Sequence, residues 1–321
     1  MNCFRCPRGS RILQMATVAG AMALSAPAFA AMTITPTFTA GFNSSFGVNA
    51  AAAQAAWISA ASVFTANFND NIHVNINVNA VGGSSVFGQS STFLNSTTYN
   101  NLHTRVVADA TTVDDLTAIG VGSMTLLDPT GGAGTWWVSR AEAKAIGLIA
   151  DDLSNDGTTT FGAGNPFTFA GAIAPGTYDF RGVCAHEISE VMGRLGISGG
   201  TIGPFANSYS LIDDFSYTGL NTRGLGNGAG NNFSIDNGLT LLKLFNNAAA
   251  NGLDSRDWAS GSNDAFNQFS SPSVLNPVSD VDMREMDVIG YDRVLVPEPT
   301  VGTLLLAALA AGALIRRRVR A

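Results

Sequence analysis

The sequence predicts an α+β fold, and three observations carry that expectation. Residues 71–81 alternate Ile72, Val74, Ile76 and Val78 against His73, Asn75 and Asn77, the period of a half-buried strand. Residues 48–68 and 183–196 place their apolar side chains at helical spacing. After Gly196 the chain becomes Gly- and Asn-rich, with flexible stretches at Gly199-Gly200 and 224–232, and this predicts a looser C-terminal lobe.

Residues 1–30 carry Arg5, Arg8 and Arg11, then an apolar run over 12–26, then Ala28-Phe29-Ala30. This is the layout of a secretory signal peptide cut before Ala31. In residues 48–68, alanine-rich with Trp57, Val63, Phe64 and Phe68, the spacing suits a helix packed on a sheet. A second helix is expected around 99–108 and a short one over 140–148, followed by a strand over 158–170. Residues 281–292, VDMREMDVIGYD, resemble the closing helix of matrixin-type domains, which implies that Met286, Val288 and Ile289 lie in the core. The body, 31–296, is long enough for one large domain or two close lobes around a cleft. His73 and His103 fall on a strand's polar face and on a helix, where ordinary solvated roles suffice.

Residues 183–196 read VCAHEISEVMGRLG. Each helical residue turns about 100°, so His186 and Glu190 sit about 40° apart, one turn above the other, and can grip one cation. Glu187 projects about 100° round from His186, beside such a cation, where a general base for water belongs. Cys184, Ile188, Val191 and Leu195 form the opposite, core-facing stripe, and Gly193 leaves room for another segment. Glu190 and Arg194 are also spaced for a helical ion pair, the simpler use of the same acid.

HEISEVMGR resembles a variant of the zincin motif His-Glu-x-x-His with Glu190 at the second ligand position, and Gly196 stands where the metzincin continuation would want a ligand. The wider chain is similar to secreted bacterial zincin-like metalloproteases with PEP-CTERM tails, through RAEAKAIGL (140–148), DGTTTF (156–161), TYDFRGVCAHEISEVMGR (177–194), LIDDFSY (211–217), FSIDNG (233–238), DWASGSNDAF (257–266) and VDMREMDVIGYD (281–292). The tail resembles a PEP-CTERM sorting signal: Pro297-Glu298-Pro299, an apolar stretch over 300–315, then Arg316, Arg317, Arg318 and Arg320. Its apolar part is short of the usual ~20 residues but long enough to hold the end in a bilayer, and the arginines favour the cytoplasmic side.

The resemblance implies a zincin-like fold, a twisted mixed sheet with the active-site helix beneath it. It also implies a zinc peptidase with His186 and Glu190 as ligands and Glu187 as general base. The third ligand is expected from Asp213 or Asp214, with Asp213 preferred at the shared position of LIDDFSY. Tyr209 and Tyr217 are candidates for oxyanion stabilisation. Implied partners are a peptide or protein substrate, signal peptidase and an exosortase-type enzyme that cuts 297–321 after transient membrane anchoring. The implied address is the surface or matrix of a Gram-negative bacterium.

Seven of the 17 basic residues are arginines in the two ends, and Glu298 is one of the 24 acids, so the body carries a net charge near −13. That excess argues against nucleic acid or anionic membrane as partners. With Cys3 and Cys6 in the signal, Cys184 is left alone, a small core residue without a disulfide partner. Two other functions remain open: a zincin-like surface protein without catalysis, to which Glu190 gives weight, and an exopolysaccharide-binding module using Trp136, Trp137 or Trp258.

Overall fold

Apolar alternation and helical spacing become regular elements in the computed structural model, which describes residues 31–120 and 122–294. The expected signal peptide (1–30) and sorting signal (297–321) lie outside the described residues. Strand β1 (Thr33–Phe38) leads into α1 (Ala40–Phe46), whose first turn is capped by Thr39 accepting from the Phe42 amide. Helix α2 (Ala50–Asn67) buries Ala53, Ala56, Trp57, Ala60, Ala61 and Phe64, one stripe at three- and four-residue spacing. Its small alanines let neighbouring backbones come close. Strand β2 (His73–Val81) buries Val74, Ile76, Val78 and Ala80 and leaves His73 at the surface, paired with Asp151 at 2.7 Å.

Strands β3 (Gly88–Thr92) and β4 (Leu94–Thr97) precede α3 (Tyr99–Asp109) and α4 (Val113–Gly120). Strand β5 (Thr135–Ser139) feeds α5 (Arg140–Ala145) through a capping box between Ser139 and Glu142. The strand expected over 158–170 is instead two, β6 (Gly157–Gly162) and β7 (Phe167–Thr168). Gly164, Asn165 and Pro166 turn the chain between them, and proline cannot donate to a ladder. Strand β8 (Tyr178–Asp179) runs directly into α6 (Phe180–Val191), the helix of the HEISE segment.

Beyond it lie β9 (Gly200–Ile202), β10 (Phe205–Ser210), a 3₁₀ turn (Leu211–Phe215), β11 (Ser216–Gly219), β12 (Thr222–Arg223), β13 (Asn232–Phe233) and β14 (Lys243–Leu244). Helices α7 (Ala248–Asn251) and α8 (Asp280–Val288) complete the chain. This region is poor in regular structure but not loosely packed. Trp258, Arg256, Asp213, Asp214 and Glu285 are all fully buried in it.

The main sheet has the order β1-β2-β6-β3, parallel from β1 to β6 and antiparallel at β3. The fold is therefore α+β with a mixed sheet. Helix α6 packs on α2 and on β3 and β6. Helix α8 closes the far side with Met286, Val288 and Ile289 in the core. The Tyr291 hydroxyl just after it donates to the Met192 carbonyl at 2.6 Å, tying the chain's end to the end of α6. No helix among the described residues is long and apolar enough to cross a membrane.

Candidate metal centre

Helix α6 starts at Asp179, whose side chain accepts from the Arg181 amide. It stops at Val191, and two residues on Gly193 adopts φ +121°, a left-handed conformation that favours glycine. A β-carbon there would lie 2.6 Å from a Glu142 carboxylate oxygen, so the segment for which Gly193 makes room is α5. Cys184 and Ile188 are fully buried on the core face, and burial pushes the Cys184 thiol well above its ordinary range.

His186, Glu187 and Glu190 line one cavity of roughly 340 Å³, together with Gly88 and Ser90 of β3 and Asp254, Asp257 and Ala265 of the C-terminal region. The His186 Nδ1 sits 2.9 Å from the Ala265 carbonyl. A carbonyl only accepts, so Nδ1 carries a hydrogen and donates it. Nε2 is thereby aimed at two carboxylates, Glu190 Oε1 at 3.2 Å and Asp257 Oδ1 at 3.5 Å. Donor atoms of His186, Glu190 and Asp257 all lie within 4.8 Å of one another, and this buried group could hold a metal ion. Ser90 Oγ donates to the other Glu190 oxygen at 2.7 Å and orients that carboxylate.

Asp257, not Asp213, completes the group. Asp213 is committed elsewhere: Oδ2 accepts from the amides of Ile197, Ser198 and Ser210 and from Ser210 Oγ, while Oδ1 accepts from Ser198 Oγ and from Arg256 Nε at 2.8 Å. It organises the 3₁₀ turn and neutralises a buried guanidinium. Asp214 is also spent, on the Tyr99 hydroxyl and Arg223. Neither proposed tyrosine lines the cavity. Tyr209 packs at a tilt against Trp136 with ring centres 5.5 Å apart, and the Tyr217 hydroxyl reaches the Ser123 carbonyl at 3.4 Å. Trp136, Trp137 and Trp258 are buried core side chains, unable to offer a sugar platform at the surface.

Arg194 enters the centre more deeply than a surface ion pair would. Fully buried, it donates to Asp257 at 2.6 Å, approaches Glu190 at 3.7 Å and lies over the Phe266 ring at 4.4 Å. Without a metal, burial alone would lower the His186 pKa, but Asp257 and then Glu190 outweigh it and raise it to about 10. Burial pushes Glu190 up, yet His186 and Arg194 bring it down to about 2. Glu187 is displaced the other way, well above the usual carboxylate range, by burial and by the Glu190 charge. Its Oε2 has no hydrogen-bond partner. Its Oε1 lies where a β-carbon on Gly88 would come within 2.3 Å, so a side chain at that point of β3 would have to displace the carboxylate.

Asp254, on the cavity wall, is raised to about 6, first by burial and then by Glu190 and Asp257. Sequence reasoning missed both Asp254 and Asp257 as site residues. The signal for Asp257 was its place at the head of DWASGSNDAF; nothing local marked Asp254. No family profile, curated protein or solved structure matches the chain.

Proposed function

We propose that the protein is a zinc-dependent peptidase with a zincin-like fold, with His186, Glu190 and Asp257 as metal ligands and Glu187 as general base. The observation that carries this reading is the His186 ring. It is locked through Nδ1 to Ala265, with Nε2 presented to two carboxylates inside a cavity. One imidazole and two carboxylates are a donor set that zinc accepts, and three protein ligands leave a position open. Zinc bound there would supply Lewis acidity toward a peptide carbonyl and make water more acidic.

The chain's own residues supply the rest. Glu187, one residue from a ligand and lining the same cavity, takes a proton from the attacking water and returns it to the leaving amine. A cation beside it would stabilise the carboxylate form that burial now disfavours. Strand β3 is an edge of the main sheet and borders the cavity through Gly88, Gln89 and Ser90, so an extended peptide backbone can pair along it. The two ends support export, with signal peptidase and an exosortase-type enzyme as processing partners and the cell surface or matrix as destination.

The test is Glu187→Gln in the full-length protein. Zinc should stay near one equivalent while cleavage of casein or a peptide library falls on the order of 10²-fold or more. Equal cleavage by both proteins would remove Glu187 from the role of base. A second reading rests on Arg194. With imidazolium and guanidinium facing Glu190 and Asp257, the charges already balance without a metal, as a surface protein without catalysis would need. Zinc retained with no cleavage of any peptide would select that reading.

A further inference from the structure

Away from the cavity, Lys243, Asp264 and Asp282 form a second buried cluster. Lys243 Nζ donates to Asp264 Oδ2 and lies 3.7 Å from Asp282 Oδ1. Both carboxylates are almost wholly inaccessible, and the lysine side chain is only 19% exposed. Further hydrogen bonds orient both carboxylates. Asp264 Oδ1 accepts from the Phe266 amide at 2.8 Å, leaving Oδ2 to the amine. Asp282 Oδ1 accepts from Trp258 Nε1 at 2.7 Å and Oδ2 from the Ser279 amide at 2.8 Å. Backbone bridges from Phe245 to Trp258 and from Trp258 to Asn267 keep the lysine strand and the aspartate loop in register.

The surroundings are aromatic. Lys243 Nζ stands 5.0 Å over the Trp258 ring, which stacks on Phe245 at 5.0 Å and meets Phe233 at 6.0 Å. Burial and then the charge of Asp264 hold Asp282 up at about 7, so it can carry a proton beside the pair.

We propose that Lys243 and Asp264 condense to an intramolecular isopeptide bond, with Asp282 as the proton relay. The ammonium gives a proton to the Asp264 carboxylate, and the neutral amine attacks Cγ of Asp264 as Asp282 donates to its carbonyl oxygen. The Nζ–Cγ bond forms. Asp282 then takes the second amine proton and passes one to the leaving hydroxyl, the Cγ–Oδ2 bond breaks, water departs, and the proton on the carbonyl oxygen returns to Asp282. An ammonium and a carboxylate become an amide and one water, with no change in oxidation state. Fixed geometry replaces the activating group that such a condensation needs in solution.

The bond closes a loop that contains Asp254 and Asp257 and ends next to Ala265, the residue that holds the His186 ring. Among the described residues the only cysteine is Cys184, free and buried, so no disulfide staples that segment.

The experiment is intact-mass and peptide analysis of the denatured full-length protein. The wild type should weigh about 18 Da, one water, less than its mapped termini require. Trypsin should leave Lys243 uncut, within a branched peptide that contains Asp264. Lys243→Arg, which keeps the positive charge, and Asp264→Ala should both have full mass. Asp282→Asn, which keeps an acceptor for Trp258, should accumulate the uncondensed chain. A folded wild type at full mass overturns the proposal, and so does a mass deficit that persists in Lys243→Arg.

Discussion

His186, Glu190, Asp257 and Arg194 share one buried space, and their charge balance governs what that space can hold. In the metal-free protein the imidazole keeps its proton up to about pH 10, because Asp257 and Glu190 surround it. A metal must displace that proton from Nε2. Burial also favours the protonated form of Glu187, so zinc affinity should rise by about tenfold or more per pH unit through the neutral range, with at least one proton released per ion. Zinc titrations at about pH 6 and 8, in buffers of different ionisation heat, check this; an affinity independent of pH would take Nε2 out of the ligand set. The two candidate aspartates separate by the same means. Asp257→Asn should weaken zinc binding by at least about 10²-fold. Asp213→Asn should leave zinc bound but cost about 3 kcal/mol of stability, because Arg256 then loses its buried counter-charge. Denaturant midpoints and metal stoichiometry on the two variants show which aspartate does which.

At the scale of the element, α6 works because it is held on every side and ends abruptly. Asp179 caps its start, α2 and β3 flank it, and Tyr291 fastens the Met192 carbonyl just past its end. Gly193 is the weak point of that construction. An alanine there meets both an unfavourable φ and the Glu142 carboxylate, which is fully buried in the cap of α5. Gly193→Ala should lower stability by about 2 kcal/mol or more, with helix content retained. Thermal melts followed by far-ultraviolet dichroism measure it, and an unchanged midpoint would mean that α5 yields freely.

Across the whole molecule acids outnumber bases, and several are buried where α4 meets α8 and the approach to β2. Asp70, Asp109 and Asp287 are raised to about 7, 8 and 7, each first by burial, and Asp115 is raised for the same reason. Thr112 bonds Asp287 at 2.6 Å, and Asp70 accepts from the Asp292 amide at 3.1 Å, so the cluster joins α4, α8 and the start of β2. These groups bind protons more tightly in the folded chain than in the unfolded one. The folded state therefore loses stability as pH rises from about 4, the unfolded value, to about 8, and no further loss comes from them above that. Melting temperatures should fall between about pH 5 and 8, and Asp109→Asn should flatten the slope. A stability that increases over that range would contradict the raised values.

The sequence by itself determined the α+β class, the limits of α2, β2 and α6 to within a few residues, the buried face of α6 at Cys184, Ile188 and Val191 but not at Leu195, which lies past the helix end on the cavity wall, and His186 with Glu190 as neighbours on one turn. Each of these depends on local periodicity, and a helix or strand repeats too regularly for distant parts of the chain to hide. It could not assign the second carboxylate of that group. Asp213 lay nearer in sequence and in a suggestive phrase, but a run of amides, serines and Arg256 claims its oxygens. Asp257 reaches His186 only because the folded C-terminal region brings Arg194 and Ala265 alongside. The expected strand over 158–170 failed for the opposite reason, a local turn at Gly164 to Pro166 that apolar content concealed. Helical spacing gives which side chains share a face; which distant acid meets them is a matter of competition among all the hydrogen-bond donors in the fold, and only the tertiary structure decides it.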